Sequence, residues 1–506
     1  MIHGRTILAA LAVAMLACSR PGTVAPPAAV VPPAGPRVAQ LAARVQADSA
    51  SIAFLIEEGT QRSRVRADLQ YLTDIIGPRL TGTAAMRRAN EWAAARLRDY
   101  GADSVALEPW PFGVSWQRGP LTMRLVLPHE RWLSAASWAW APGTGGPLTG
   151  DVVFMDALSR ADFDRRFAGK LTGAWVMTAT AYPRTSPGAA DGRDSARVDS
   201  LRLALRERNQ RLTQPQRAFL AGLHDLLAAQ GIAGQILDGA KDFGLFTMSG
   251  SPDEIAKFPM VVVGNHTFAE LHRQLALGER VRVEVNASNA LGRDTLVQWN
   301  TVGEIRGSQF PNEVVLLGAH LDSWDLGTGA SDNGSSSVAV IEAARLLGAL
   351  KASGVRPRRT IRFALFTGEE QGLLGAQYYA RAHARELPRH QAVLVLDNGT
   401  GRIVALPLQG RDDLHDLWSA MMRPLAALGP IAVRSGMKTG TDHLVFQAAR
   451  VPAFNYDQLS RGYDYTHHSQ ADVFDATVPG DVAQAATVMA VNALQLANLD
   501  RLLPRP

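Results

Sequence analysis

The sequence predicts an α/β protein in which a mixed, mainly parallel sheet is flanked by helices and a β-rich domain is inserted into the chain. After about residue 297, apolar strands alternate with amphipathic helices, the pattern of βαβ units around a parallel sheet. Between about 120 and 290, short β-like runs are separated by glycine and proline turns. The change in pattern indicates that the second region is an insertion into the first.

Composition limits the function classes. The 506 residues are 46% hydrophobic and 20% charged, which excludes a chain that is disordered throughout. The net charge of +5 is spread along the sequence without a basic run that would follow a nucleic-acid strand, so we expect no nucleic-acid partner. The single cysteine, Cys18, excludes an intrachain disulfide, so any metal is held by His, Asp and Glu.

The first residues have the features of an export signal. Residues 1–18 contain a basic residue, an apolar run too short to span a membrane as a mature helix, and small residues before Cys18. The sequence MLAC resembles the box at which bacterial lipoproteins are cut and acylated. We favour a lipoprotein signal with a lipid anchor at Cys18, which predicts a periplasmic or cell-envelope protein. Cleavage followed by secretion and a buried N-terminal helix are the alternatives.

The rest of the chain divides into four parts. The Pro/Ala-rich residues 19–38 are typical of a tether. Residues 39–120 contain three segments with apolar residues at helical spacing, and the turn GPRLTG separates the last two. Residues 121–295 form the predicted insert, with one polar helical stretch near 195–230. Residues 296–506 form the core domain.

Three apolar strands of the core end in residues that bind metals or transfer protons. EVVLLGAH ends at His320, TIRFALFTGEE at Glu369 and Glu370, and AVLVLD at Asp397. In open sheets of this kind, ligands bind beyond the carboxyl ends of the strands, so we expect these side chains to converge. Of the adjacent glutamates, one can bind metal while the other acts as a general base.

A glycine-rich loop follows the first of these strands. It contains Asp322 and Asp332 and precedes a predicted helix from about 335 to 350. Carboxylates and imidazole suit Zn²⁺ or a similar ion, and a single carboxylate can bridge two ions. Asp332 is the candidate bridge, and Asp322 is predicted to accept the second N–H of His320.

The C-terminal part supplies a further histidine. It contains GTDHLVF at 440–446 and YDYTHHSQADVFD at 463–475, and either His467 or His468 completes the ligand set. The roles of Asp442 and His443 stay open.

The ordered motifs HLDSWD, GASDNG, FTGEEQGLLG, LDNG, GTDH and HHSxxD carry a specific resemblance. The chain resembles the di-zinc exopeptidase family of bacterial zinc aminopeptidases and glutamate carboxypeptidases over about residues 65–500. The resemblance implies peptide substrates, two Zn²⁺ per chain and a protease-associated domain as the insert. It implies that one zinc is bound by His320, Asp332 and Asp397 and the other by Asp332, Glu370 and His468. Glu369 is then the general base.

The resemblance also implies three details. His468 is preferred over His467 because the last ligand of the family usually precedes Ser or Thr. His467 stands where several relatives carry a tyrosine that donates a hydrogen bond to the oxyanion, so its imidazole is a candidate donor. Tyr463 or Tyr465 is the alternative donor. A cis peptide is expected between Asp332 and the next residue.

The predicted function is hydrolysis of terminal bonds in short peptides. A water that bridges the two ions attacks the carbonyl, and Glu369 passes its proton to the leaving amine. An aminopeptidase is favoured over a carboxypeptidase. The alternatives are an inactive, receptor-like relative and a single-zinc glutaminyl cyclase of the same fold. The intact ligand set argues against the first alternative, and the bridging set and the insert argue against the second.

Overall fold

The computed structural model describes residues 49–178, 212–397 and 399–506. The described residues form two compact units. Of the described residues, the insert unit contains 113–178, 212–295 and 468–470, and the main unit contains 49–112, 296–397, 399–467 and 471–506. The predicted export signal, Cys18 and the tether lie outside the described residues, so they stay predictions. Among the residues described, none of the helices has the length and apolar character needed to cross a membrane.

The strands are numbered in chain order. They are β1 (Ser104–Gln117), β2 (Leu121–Leu127), β3 (Arg131–Leu133), β4 (Ala135–Ser137), β5 (Leu148–Met155), β6 (Trp175–Thr178), β7 (Gly234–Asp238), β8 (Met260–Val263), β9 (Arg282–Ala287), β10 (Ala290–Ile305), β11 (Phe310–His320), β12 (Arg359–Phe366), β13 (His390–Val395), β14 (Ile403–Pro407), β15 (Ala432–Arg434), β16 (Ala453–Asn455) and β17 (Asp457–Gln458).

The helices are numbered in the same way. They are α1 (Ser49–Gln61), α2 (Val65–Gln70), α3 (Ala84–Asp99), α4 (Arg160–Arg166), α5 (Gln214–Ala221), α6 (Leu223–Ala229), α7 (Asn265–Ala276), α8 (Ser335–Ala352), α9 (Leu374–Ala382), α10 (His415–Met422), α11 (His443–Ala448), α12 (Tyr463–Thr466) and α13 (Pro479–Asn498). A π-helical segment, Tyr71–Ile76, continues α2.

The main unit is built on a six-stranded sheet in the order β1-β10-β12-β11-β13-β16. Strands β12, β11, β13 and β16 run parallel to one another, and β10 is antiparallel to β12. His320 pairs with Phe366 at the carboxyl ends of β11 and β12. The predicted mixed, mainly parallel sheet is confirmed, and its register brings the ends of the functional strands to the same edge.

Apolar residues on both faces explain why this sheet is central. Leu317 of β11 lies in one buried cluster with residues of α8 and α13, which pack against each other. The neighbouring Leu316 lies in a second cluster with Tyr379 of α9 and Phe446 of α11. Because successive side chains of a strand point to opposite faces, helices cover the sheet on both sides.

The insert unit has its own eight-stranded sheet, in the order β3-β2-β9-β5-β6-β7-β8-β4. Strands β5 to β8 are parallel along the sheet, while β2, β3, β4 and β9 pair antiparallel. Its core contains Trp175, Ile236 and Val283. In chain order the unit begins within β1 and ends within β10. Its identity as a protease-associated domain stays a prediction.

Candidate metal centre

His320 is the last residue of β11 and is almost fully buried. Its Nδ1 lies 3.1 Å from the carbonyl oxygen of Asp322. A carbonyl only accepts hydrogen bonds, so Nδ1 carries the hydrogen and the lone pair is on Nε2. Nε2 lies 3.4 Å from Oδ1 of Asp332 and 3.4 Å from Oδ1 of Asp397. The metal-binding nitrogen of His320 therefore faces two carboxylates.

Asp322 presents two acceptors to Nδ1 of His320. Its main-chain carbonyl oxygen lies 3.1 Å from Nδ1 and its carboxylate Oδ1 lies 3.6 Å from it, so the carbonyl is the closer partner. The carboxylate accepts from the hydroxyl of Thr81 at 3.0 Å and from the backbone N–H groups of Glu369 and Glu370, each at 3.3 Å. Asp322 thus holds the turn in which both glutamates lie.

Asp332 lies in a π-helical turn, Ala330–Gly334, directly before α8. The peptide bond between Asp332 and Asn333 is cis, as the family resemblance implied. Oδ1 of Asp332 faces Nε2 of His320, and Oδ2 lies 3.8 Å from Nε2 of His467. The two carboxylate oxygens therefore face different histidines, which is the arrangement needed of a bridging ligand.

Asp472 fixes the loop that carries Asp332. Its Oδ2 accepts the backbone N–H of Asp332 at 3.0 Å. Its Oδ1 accepts the backbone N–H and the hydroxyl of Ser331 at 2.5 and 2.7 Å. A fully paired carboxylate therefore sets the position of the candidate bridge.

Glu369 and Glu370 follow β12 and lie close to the other acids. The ligand atoms of His320, Asp332 and Glu370 lie within 4.8 Å of one another, as do those of His320, Glu369 and Asp397. Burial raises the pKa of Glu369 well above its usual value, and the charge of Asp397 adds to this. Burial likewise raises the pKa of Glu370, with a further contribution from Asp332. Acids crowded together in this way require a cation or protons.

The distances in this cluster fit zinc. Two ligand atoms that each lie about 2.0–2.1 Å from a tetrahedral zinc are about 3.3–3.4 Å apart. The two 3.4 Å separations from Nε2 of His320 match this value, whereas hydrogen bonds between charged groups are about 2.7–2.9 Å long. Oε2 of Glu369 is more distant from the same nitrogen, at 3.9 Å. His320, Asp332 and Asp397 therefore have the spacing of ligands, and Glu369 lies beside them.

The paired histidines belong to different units. In the main unit, the backbone N–H of His467 donates to the carbonyl of Tyr463 at 2.8 Å. The centroids of the His467 and Tyr463 rings are 5.1 Å apart. His468 groups with the insert unit, where its Nδ1 lies 3.1 Å from the carbonyl oxygen of Met248. That contact places the lone pair of His468 on Nε2, the tautomer of a metal ligand. The ligand role of His468 stays a prediction.

Sequence analysis left the role of Asp442 open and did not single out Arg79 or Thr81. Asp442 is fully buried, and neither of its carboxylate oxygens has a hydrogen-bond partner among the described residues. The only sequence signal for Asp442 was its place in the motif GTDH, next to a histidine. Arg79 and Thr81, in the turn GPRLTG, are also fully buried, and both contact the metal-binding loop. An arginine and a threonine in a short glycine-flanked turn were the signal there.

Comparison with known proteins agrees with this geometry. Residues 300–493 match peptidase family M28. This match supports the predicted zinc exopeptidase family. It is 27% identical to carboxypeptidase Q of Mus musculus over 455 residues, which covers 88% of each chain. The crystal structure of a peptidase M28 precursor from Shewanella amazonensis SB2B has a TM-score of 0.73 and 26% identity, and the match covers 91% of this chain and 99% of that one.

A second solved structure shows the same fold at lower similarity. BSAP, a zinc aminopeptidase from Bacillus subtilis, has a TM-score of 0.58 and 19% identity, and the match covers 84% of this chain and 92% of that one. The predicted zinc exopeptidase family is therefore confirmed. The roles of the individual site residues stay predictions.

Proposed function

We propose that this chain removes terminal residues from short peptides at a centre of two zinc ions. His320, Asp332 and Asp397 would hold one ion, and Asp332, Glu370 and His468 the other. The observation that carries the proposal is the pair of 3.4 Å separations between Nε2 of His320 and the two aspartates. The two-sided position of the Asp332 carboxylate supports a second ion, because Oδ2 faces away from His320 toward His467.

A bound zinc pair would polarise the scissile carbonyl and supply a water of lowered pKa as the nucleophile. Glu369 would act as the general base that takes the proton of this water and passes it to the leaving amine. The turn that carries Glu369 is fixed because its backbone N–H donates to Asp322. The side chain lies at a strand end next to Glu370, so acid–base work and metal binding are divided between neighbours. No side chain needs to form a covalent intermediate.

Metal analysis tests the number of ions. The purified chain is expected to contain two zinc ions and to lose activity when a chelator removes them, and added zinc should restore it. Zinc per chain is measured by atomic absorption beside peptide hydrolysis. One zinc per active chain, or full activity of the metal-free protein, would contradict the proposal.

We further propose that the substrate is recognised by its amino terminus. The centre is rich in buried acids, including Glu369 and Asp442. Two basic side chains near these acids are paired elsewhere: Arg79 donates to backbone carbonyls, and Nζ of Lys438 lies 2.7 Å from Asp457. An acidic surrounding favours the ammonium group of a peptide over its carboxylate. The name carboxypeptidase Q belongs to a relative that acts at the other end, so the terminus needs a direct test.

Blocked peptides provide this test. A tetrapeptide acetylated at its amino terminus should resist cleavage, while the same peptide amidated at its carboxyl terminus should lose its first residue. Products are identified by mass spectrometry. Release of the carboxyl-terminal residue from the acetylated peptide would instead show a carboxypeptidase.

A further inference from the structure

The turn GPRLTG, residues 77–82, lies between the π-helical end of α2 and α3. The sequence indicates only a turn at this position. In the structure Arg79 and Thr81 are both fully buried, although arginine is among the residues that are most rarely buried. Such burial requires partners, and these partners lie in the metal-binding loop.

Arg79 contacts both ends of the loop of residues 321–329. Nε donates to the carbonyl of Leu321 at 2.7 Å, Nη1 to that of Thr328 at 2.8 Å, and Nη2 to that of Gly329 at 2.6 Å. Nη1 also donates to its own turn, at the carbonyl of Gly77 at 3.1 Å. Because the guanidinium is planar and rigid, these donors fix the distance between the two ends of the loop.

This loop connects His320 to Asp332, the first ligand to the candidate bridge. The loop also packs closely against Arg79. A Cβ atom at Gly329 would lie 2.3 Å from Cβ of Ser323 and 2.8 Å from Nη2 of Arg79. The backbone of Arg79 makes two more hydrogen bonds with Ser323. Its N–H donates to Oγ at 3.1 Å, and its carbonyl accepts the backbone N–H of Ser323 at 3.2 Å.

Thr81 extends the same turn to the second group of acids. Its hydroxyl donates to Oδ2 of Asp322 at 3.0 Å, and the carboxylate of Asp322 accepts the backbone N–H groups of Glu369 and Glu370. One turn therefore supports the loop of Asp332 and the strand end of the glutamates.

The positive charge of Arg79 is compatible with its buried position beside the acids. Burial lowers the pKa of Arg79 to about 10, and the nearby carboxylates of Asp472 and Asp322 oppose the decrease. The guanidinium is therefore a cation at neutral pH, and it lies beside a cluster of acids.

We propose that Arg79 is a positioning residue of the metal centre: its guanidinium fork fixes the loop between His320 and Asp332 at the spacing that binds zinc. The proposal rests on the proposed function only in requiring that these residues bind zinc. Removal of the fork takes its donor from the carbonyls of Leu321 and Thr328 and leaves the carbonyl of Gly329 only the N–H of Gly334, so the loop and Asp332 shift.

The test compares R79M and R79K with the unaltered full-length chain. Zinc affinity is measured by competition with a chelator, and ligand geometry by the visible absorption of the Co²⁺-loaded protein. Loss of an outer partner of a metal ligand typically weakens metal binding 10- to 100-fold. We expect R79M to fall in this range with an altered cobalt spectrum. R79K keeps the charge but lacks the fork, and it should remain at least about tenfold weaker than the unaltered chain.

Arg359 provides a matched control. It is also buried in the main unit, and Nη1 donates to the backbone carbonyls of Ala497 and Leu499. It begins β12, seven residues from Phe366, and hence about 23 Å from the metal edge of the sheet. R359M should lower the thermal stability and leave zinc affinity and the cobalt spectrum unchanged.

The outcomes separate the hypotheses. Unchanged zinc affinity and cobalt spectrum in a folded R79M or R79K variant would overturn the proposal. An equal loss of affinity in R359M would also overturn it, because the effect would then be general instability. If R79M does not fold, R79K and T81V decide, since T81V removes only the hydroxyl that holds Asp322 and should also weaken zinc binding. Failure of the unaltered chain to bind zinc would overturn the proposed function itself.

Discussion

Glu369→Gln is expected to keep its zinc and lose most of its activity. The amide has nearly the shape of the carboxylate, but it does not take up the proton of the attacking water. Loss of a general base typically lowers turnover about 10²- to 10⁴-fold. Zinc should stay bound because Glu369 is 3.9 Å from Nε2 of His320, farther than the 3.4 Å of Asp332 and Asp397.

The neighbouring Glu370→Gln is the matched control for this experiment. It makes the same chemical change one residue later, but at a proposed zinc ligand, so it should lose metal as well as turnover. Both variants are compared with the unaltered chain for zinc content and for kcat on one peptide. Near-normal turnover by zinc-loaded Glu369→Gln would exclude the general-base role. Loss of zinc from it would show that Glu369 is a ligand.

The strand ends of this centre could be predicted because two general rules determine them. Apolar runs that are buried on both faces identify β11, β12 and β13, and parallel strands direct their carboxyl ends to one edge. The pairing of His320 with Phe366 confirms that edge for the first two strands. The proximity of residues that follow such strands, including Glu369 and Asp397, could therefore be predicted without knowing the conformation of the loops.

The supporting contacts could not be predicted in this way. Arg79 lies 242 residues from Leu321 and donates to its carbonyl, and Asp472 lies 140 residues from Asp332 and accepts its N–H. Such bonds join side chains to backbone groups of distant loops, and hydrophobic periodicity contains no information about them. The acceptor that Asp322 offers to His320 could not be predicted for a related reason. Two acceptors on this one residue, a carbonyl and a carboxylate, compete for the imidazole, and only loop geometry selects between them.

The choice between the paired histidines also depends on loop geometry. His468 has a φ of 57°, a left-handed conformation that non-glycine residues rarely adopt. Its preceding neighbour, His467, has a φ of −47°. On either side of this change of backbone conformation, Nε2 of His467 lies 3.8 Å from Oδ2 of Asp332, and Nδ1 of His468 lies 3.1 Å from the carbonyl oxygen of Met248. Strained positions of this kind concentrate at functional sites.

His467→Ala and His468→Ala are expected to separate turnover from metal binding. His467→Ala should keep both zinc ions and roughly the same KM but lose about 10²- to 10³-fold in kcat, because a donor to the developing oxyanion is removed. Nε2 of His467 lies 3.8 Å from Oδ2 of Asp332, so its imidazole is close to the candidate bridge. This distance is longer than the 3.4 Å that separates Nε2 of His320 from Asp332 and from Asp397. His468→Ala should lose one zinc ion.

Tyr463→Phe tests the competing donor. Tyr463 is buried against His467, and removal of its hydroxyl should leave turnover within a few-fold of normal if His467 is the donor. Zinc content, kcat and KM are measured for all three variants on one peptide. A large loss of kcat in Tyr463→Phe with normal turnover in His467→Ala would transfer the oxyanion role to the tyrosine. Zinc lost from His467→Ala and kept by His468→Ala would reverse the choice of ligand, because the imidazole facing Asp332 would then bind the second ion.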